Sequence, residues 1–132
     1  MGKLPYDPFK DLAPLSGGVH FPNVLVVSSQ SGIRTLAEFV AAARKGAGNV
    51  TYASTGPGSA SHLAGELVND MANLDTVHVP YKGGAAALQD VLAGRVTGWY
   101  ATMATAAPHI EAGKLIPLAS TGTQRLAALP KV

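Results

Sequence analysis

From residue 23 to residue 120 the sequence alternates, four times over, between a short apolar run and a stretch with helical spacing. This alternation restricts the fold more than any single motif does. Strands joined by helical connections lie side by side in one sheet, with right-handed crossovers and helices on both faces. The apolar runs fall at 23–27, 49–53, 76–80 and 96–100, and a fifth strand is expected at 115–120. Thr35-Leu-Ala-Glu38 reads as a capping box, opening a helix with Leu36, Phe39, Val40 and Ala43 on its apolar face. Gly46 and Gly48 end it. The second helix sets Ala60, Leu63, Ala64, Leu67, Val68 and Met71 on one face, and His62, Glu66, Asn69, Asp70 and Asn73 on the other. The third turns Leu88, Val91 and Leu92 inward and stops at Gly94. A short fourth helix is expected near 106–112, closed by Gly113, with Pro108 tolerable only in its first turn. The fold class is therefore α/β, a three-layer domain around a parallel sheet.

In such sheets ligands bind beyond the carboxyl ends of the strands. The loops there, 28–34, 54–59, 81–85 and 101–105, are rich in Gly, Ser, Thr or Ala. The opposite loops, 45–48, 73–75, 94–95 and 113–114, read as ordinary helix stops. The fullest signal is Tyr52-Ala-Ser-Thr-Gly-Pro-Gly-Ser-Ala-Ser-His-Leu-Ala-Gly-Glu66. There Thr55, Gly56, Gly58, Ser59 and Ser61 gather N–H groups and hydroxyls where a helix begins, which makes an anion site without a formal charge. The layout returns at Val79-Pro-Tyr-Lys-Gly-Gly-Ala85, so two loops can converge on one small organic anion.

Composition narrows the classes. The 132 residues allow one domain with a modest core, and 47% hydrophobic against 14% charged residues argues against disorder. A net charge of +2, with no Lys/Arg cluster or aromatic-basic stripe, points away from nucleic acid. With no cysteine there is neither disulfide nor thiolate metal site. No apolar run approaches the roughly 18 residues that span a bilayer. Met1-Gly2, leading at once into domain-like sequence, reads as an artificial start, with any export signal lying outside it.

Other chemistries fit poorly. Position 61 is serine, so the third glycine of a dinucleotide fingerprint is missing, and no Gly-Lys-Ser/Thr follows for a P-loop. A tight turn with no ligand is the plain alternative for the Gly-rich loop. His62 and Glu66 stand four residues apart but lack a third metal ligand nearby in sequence, so a solvent-facing or interdomain pair is expected. Ser59 and His62 lack the strand–turn–helix elbow of a nucleophile. Lys82 reads as a solvated or hinge-facing lysine rather than an anion clamp, and Tyr81 and Trp99 as packing residues rather than stacking platforms. No metal and no cofactor is expected.

The chain resembles the substrate-binding proteins of tripartite tricarboxylate transporters, the Bug family. The matching pieces are Leu4-Pro-Tyr-Asp-Pro-Phe-Lys-Asp-Leu12, Pro22-Asn-Val-Leu-Val-Val27, Thr51-Tyr-Ala-Ser-Thr-Gly-Pro-Gly-Ser59, His62-Leu-Ala-Gly-Glu66 and His78-Val-Pro-Tyr-Lys-Gly-Gly84. Pro108-His-Ile-Glu-Ala-Gly-Lys-Leu115 and Ala128-Leu-Pro-Lys-Val132 follow in order. The resemblance implies one lobe, the second, of a periplasmic two-domain protein with the type II binding-protein fold. Residues 1–21 would be the crossover from a missing first domain, 22–120 the ligand-binding domain and 121–132 the return crossover. It also implies ligand contacts from Ser54, Thr55, Gly56, Gly58, Ser59 and Ala60, and from Tyr81, Lys82, Gly83 and Gly84 in the next loop. Where the family often has an acidic or amide pair, this chain has Ala101 and Thr102, which favours a plain mono- or dicarboxylate over an amine-bearing ligand.

The expected partners are that carboxylate, the first domain and the transporter's membrane subunits. The uncovered interdomain surface could pair, or swap segments, with a second copy. Two other readings stand beside this one: a small α/β enzyme domain acting on a carboxylated or phosphorylated metabolite, and a sensory ligand-binding module. Against the enzyme, no acid, base and nucleophile set can be assembled from these loops.

Overall fold

The computed structural model describes residues 4–132. The reading of Met1-Gly2, like the first three residues of the 1–21 segment, lies outside the described residues. Strands and helices alternate as β1 (Asn23–Ser28), α1 (Leu36–Arg44), β2 (Thr51–Ser54), α2 (Ala60–Ala72), β3 (Val77–Pro80), α3 (Gly84–Leu92), β4 (Gly98–Thr102), α4 (Met103–Glu111) and β5 (Leu115–Ser120). Residues 4–22 hold no helix or strand and are exposed along almost their whole length.

The five strands form one sheet in the order β3-β2-β4-β1-β5. Neighbours β3, β2 and β4 are parallel, as expected. β1 is not: it runs antiparallel to both β4 and β5. The expectation of an all-parallel sheet is corrected at this strand. An apolar run buried on both faces, as all six residues of β1 are, looks the same in either direction. The reversal moves the 28–34 loop to the far end of the sheet, where Ser28 shares a cleft with Asn49, Val50, Gly94 and Val96. It also brings the chain into the sheet at the end where the loops after β2, β3 and β4 lie, since Asn23 pairs with Thr102. Edge strand β5 bulges opposite Leu25 and Val26, and Pro117 sits there, where a missing N–H is least disruptive.

Alternation along β1 divides the core. Val24 and Val26 face a cluster with Trp99, Ala87, Val91 and Ala106, roofed by α3 and α4. Leu25 and Val27 face Phe39, Tyr52 and Tyr100, roofed by α1 and α2. The capping box of α1 forms as read, Thr35 accepting from the Glu38 N–H while Glu38 reaches back to the Thr35 N–H.

Two helices depart from expectation. α2 lays Ser61 and Gly65, not its leucines, against the sheet, and Leu63, Leu67 and Met71 are 57%, 59% and 77% exposed. The reason is Tyr52: a Cβ on Gly65 would fall 2.2 Å from its ring. Only the small-residue face lets the helix come that close. The leucine stripe instead lines an apolar groove of about 590 Å³ between α1 and α2. α4 begins three residues earlier than expected, straight after β4, so Pro108 lies inside it rather than in the first turn.

Candidate functional site

The loops after β2 and β3 are clasped together: the Tyr81 N–H donates to the Ser54 carbonyl at 3.0 Å, and Gly56 lies against the Tyr81 carbonyl. Both loops lead into helices. With α4, which follows β4 directly, three helix N-termini meet at one end of the sheet. Each carries about half an elementary positive charge, which favours an anion there.

The β2–α2 loop is tightly self-bonded. Gly56 (φ +126°) and Gly58 (φ +78°) take backbone shapes that side chains disfavour. The Thr55 N–H donates to Ser61 Oγ, Gly56 N–H to Ser54 Oγ, Gly58 N–H to His62 Nδ1 and Ser59 N–H to the Gly56 carbonyl. Ser59 caps α2, accepting from the His62 N–H, and donates its hydroxyl to the Gly56 carbonyl at 2.6 Å. The expected row of free donors is thus largely engaged inside the loop. The backbone N–H groups of Ala60 and Ser61 alone in this loop-to-helix segment find no acceptor among the described residues.

In the β3–α3 loop, Gly83 caps α3 without a side-chain bond, and the first intrahelical bond is that of the Ala87 N–H to the Gly83 carbonyl. The N–H groups of Gly84 and Ala85 therefore also lack acceptors among the described residues. Lys82 is exposed at the rim. Tyr81 packs on the α3/α4 core, its hydroxyl donating to Asp90 Oδ2 at 2.6 Å. Burial and that bond push its pKa to about 12, while the same bond and Arg95 hold Asp90 below the usual carboxylate range. Ala101 is fully buried in the core. Thr102 is half-buried and shares a 3.0 Å hydroxyl contact with Thr105. Trp99 is buried, and its Nε1 has no hydrogen-bond partner among the described residues.

A second group of residues stands directly behind the loop. His78 on β3 pairs across the sheet with Tyr52, and the two rings stack at 5.1 Å. Ser54 Oγ meets His78 Nε2 at 2.5 Å. His62 stacks on His78 with centroids 4.1 Å apart, and the Tyr52 hydroxyl donates to Glu66 Oε1. Burial first, then His62, lowers the His78 pKa, with Glu66 opposing. Of the solvent-facing or interdomain pair expected from sequence, His62 is half-buried by this stacking, while Glu66 is exposed. The i,i+4 spacing of His62 and Glu66 was visible, but the role of His78 depends on strand register. No group of three or more His, Asp or Glu able to hold a metal exists among the described residues.

A three-layer α/β body with helix N-termini gathered at one end, and its chain entering and leaving at that same end, is the architecture of one lobe of a bilobal binding protein. The chain belongs to the tripartite tricarboxylate transporter receptor family, whose model matches residues 1–132. It is 34% identical over 130 residues to a UPF0065 protein from the tcbD-tcbE intergenic region of Pseudomonas sp. strain P51, covering 98% of this chain and 39% of that protein. Among solved structures it is similar to R. palustris Rpa4515 with adipate, at 33% identity and a TM-score of 0.85, over 96% of this chain and 44% of that one. A structure described as a periplasmic transporter gives 32% identity and a TM-score of 0.87, over 98% and 43%. The chain thus spans about two fifths of the length of the curated relative it matches.

Proposed function

We propose that this chain is the second lobe of a periplasmic, non-enzymatic receptor that captures a small mono- or dicarboxylate for a tripartite transporter's membrane subunits. The observation that carries the reading is the meeting of the α2 and α3 N-termini, where the N–H groups of Ala60, Ser61, Gly84 and Ala85 have no acceptor among the described residues. Thr55, Gly56, Gly58 and Ser59 shape the first of these, Ser54 anchors it to β3, and Tyr81 to Gly83 shape the second. Ala101 and Thr102 add no charge opposite the anion. Adipate in the related Rpa4515 supports a dicarboxylate as the first ligand to try. Residues 4–21 and 121–132 serve as the connections to the other lobe, and 22–120 as the ligand-binding body. In an isolated chain the exposed Phe9, Leu15 and Val19 of the first connection are where a second copy would pair.

Ala60→Pro tests this with little structural cost. Ala60 is the first residue of α2, where proline is well tolerated, and Ser59 at φ −68°, ψ 160° already has a shape compatible with a following proline. Only one N–H is removed. Calorimetry on the full-length receptor with adipate should show affinity lowered roughly tenfold or more, as for a charge-assisted bond, with unchanged thermal stability. Unchanged affinity for every carboxylate tried, or turnover of one, would overturn the reading.

A further inference from the structure

We infer that His62, in its neutral form, is a positioning residue that holds the β2–α2 loop in its binding shape, and that the stacked His62–His78 pair couples this shape to pH.

The Gly58 N–H donates to His62 Nδ1 at 3.1 Å, so that nitrogen must be unprotonated. It is the acceptor for the loop residue at φ +78°, flanked by Pro57, which has no N–H to offer. The loop's other acceptors are Ser54 Oγ, Ser59 Oγ, Ser61 Oγ and the Gly56 carbonyl, none of which titrates near neutrality. A proton on Nδ1 would set N–H against N–H and release Gly58. The next residues along the chain are Ser59, the cap of α2, and Ala60, whose N–H faces the proposed ligand.

The groups around His62 come from three elements. Glu66 of α2 lies 3.9 Å from Nε2 and attracts an imidazolium, and Tyr52 of β2 fixes Glu66 through its hydroxyl. His78 of β3 is stacked face to face and repels one. His78 in turn touches Ser54, which accepts from the Gly56 N–H, so both imidazoles bear on one turn. Tyr100 of β4 meets only the edge of Tyr52. A proton on either ring disfavours one on the other, and protonating His62 costs the loop its bond.

The consequence for affinity rests on the function proposed above, so the primary test reads the loop itself. Nitrogen–proton correlation spectra of the chain would be followed from about pH 8 to about pH 5, the range in which imidazoles titrate. The Gly58 amide should shift as the pH falls through this range. In His62→Asn, whose side-chain oxygen is an uncharged acceptor close to the Nδ1 position, the amide should keep its high-pH position throughout. A Gly58 amide unmoved across this range in the wild-type chain would overturn the inference, as would an equal pH-dependent shift persisting in His62→Asn. In the full-length receptor, adipate affinity should fall on acidification about fivefold more in wild type than in His62→Asn, the loss expected for one hydrogen bond. If adipate fails to bind at any pH, the ligand reading fails while the amide titration still decides the role of His62.

Discussion

Gly65 is where a single atom decides how a helix docks. Tyr52 beneath it is fully buried, stacked on His78 and bonded to Glu66. A methyl group at position 65 would meet Cε2, Cζ and Cδ2 of that ring at 2.2, 2.4 and 2.8 Å, so α2 or the ring must shift. Gly65→Ala normally favours a helix, yet here overpacking should win and destabilise the fold by about 1–3 kcal/mol. Urea denaturation would read this as a lowered midpoint; an unchanged or raised midpoint would mean that the contact is easily relieved. The same crowding explains why the apolar periodicity of α2 misled. Leu63, Leu67 and Met71 supply the stronger hydrophobic signal, but the closest approach to the sheet goes to the residues that occupy least space. Nothing in the sequence says that a tyrosine ring lies underneath.

At the scale of elements, α4 holds a testable strain. Pro108 lies in its sixth position, exposed, and without an N–H it leaves the Ala104 carbonyl short of its helical partner. Pro108→Ala restores that donor and gives up little packing, so stability should rise by about 1–3 kcal/mol. A thermal melt of the variant checks it, and a lowered melting temperature would show that the ring's packing outweighs the missing bond. The order of strands and helices was legible in the sequence, because apolar runs, Gly stops and the Thr35–Glu38 box are local signals. The direction of β1 was not, since nothing in an apolar run marks which neighbour it pairs with. The same limit applies to the site. The loops at 54–60 and 81–84 announce themselves by composition, whereas the self-bonding of Thr55 to Ser59 and the placement of His78 behind them depend on register.

At the scale of the whole molecule, the histidine pair links stability to acidity. The folded-state pKa of His78 lies below its ordinary 6.5, chiefly through burial and then His62. On acidification the unfolded chain therefore takes up the proton first. Stability should be complete above 6.5, fall as the pH drops through that value, and level off below the folded pKa. Chemical denaturation from about pH 8 to about pH 5 would trace the fall, and His78→Asn should flatten it. A wild-type profile flat across the window would show that the stacked pair is not penalised by charge.

The reversed β1 has one more consequence. Asn23 and Thr121 exchange two hydrogen bonds, N–H to Oγ1 and N–H to carbonyl, both at 2.9 Å. The points where the chain enters and leaves this body are therefore nearest neighbours, next to the helix N-termini. In the two-lobe receptor proposed above, both connections would leave this body from one spot, so it would hang like a door on a single pin. Changing a few backbone torsions beside that pin would tilt it as a unit, turning the open N–H groups of α2 and α3 toward or away from the other lobe.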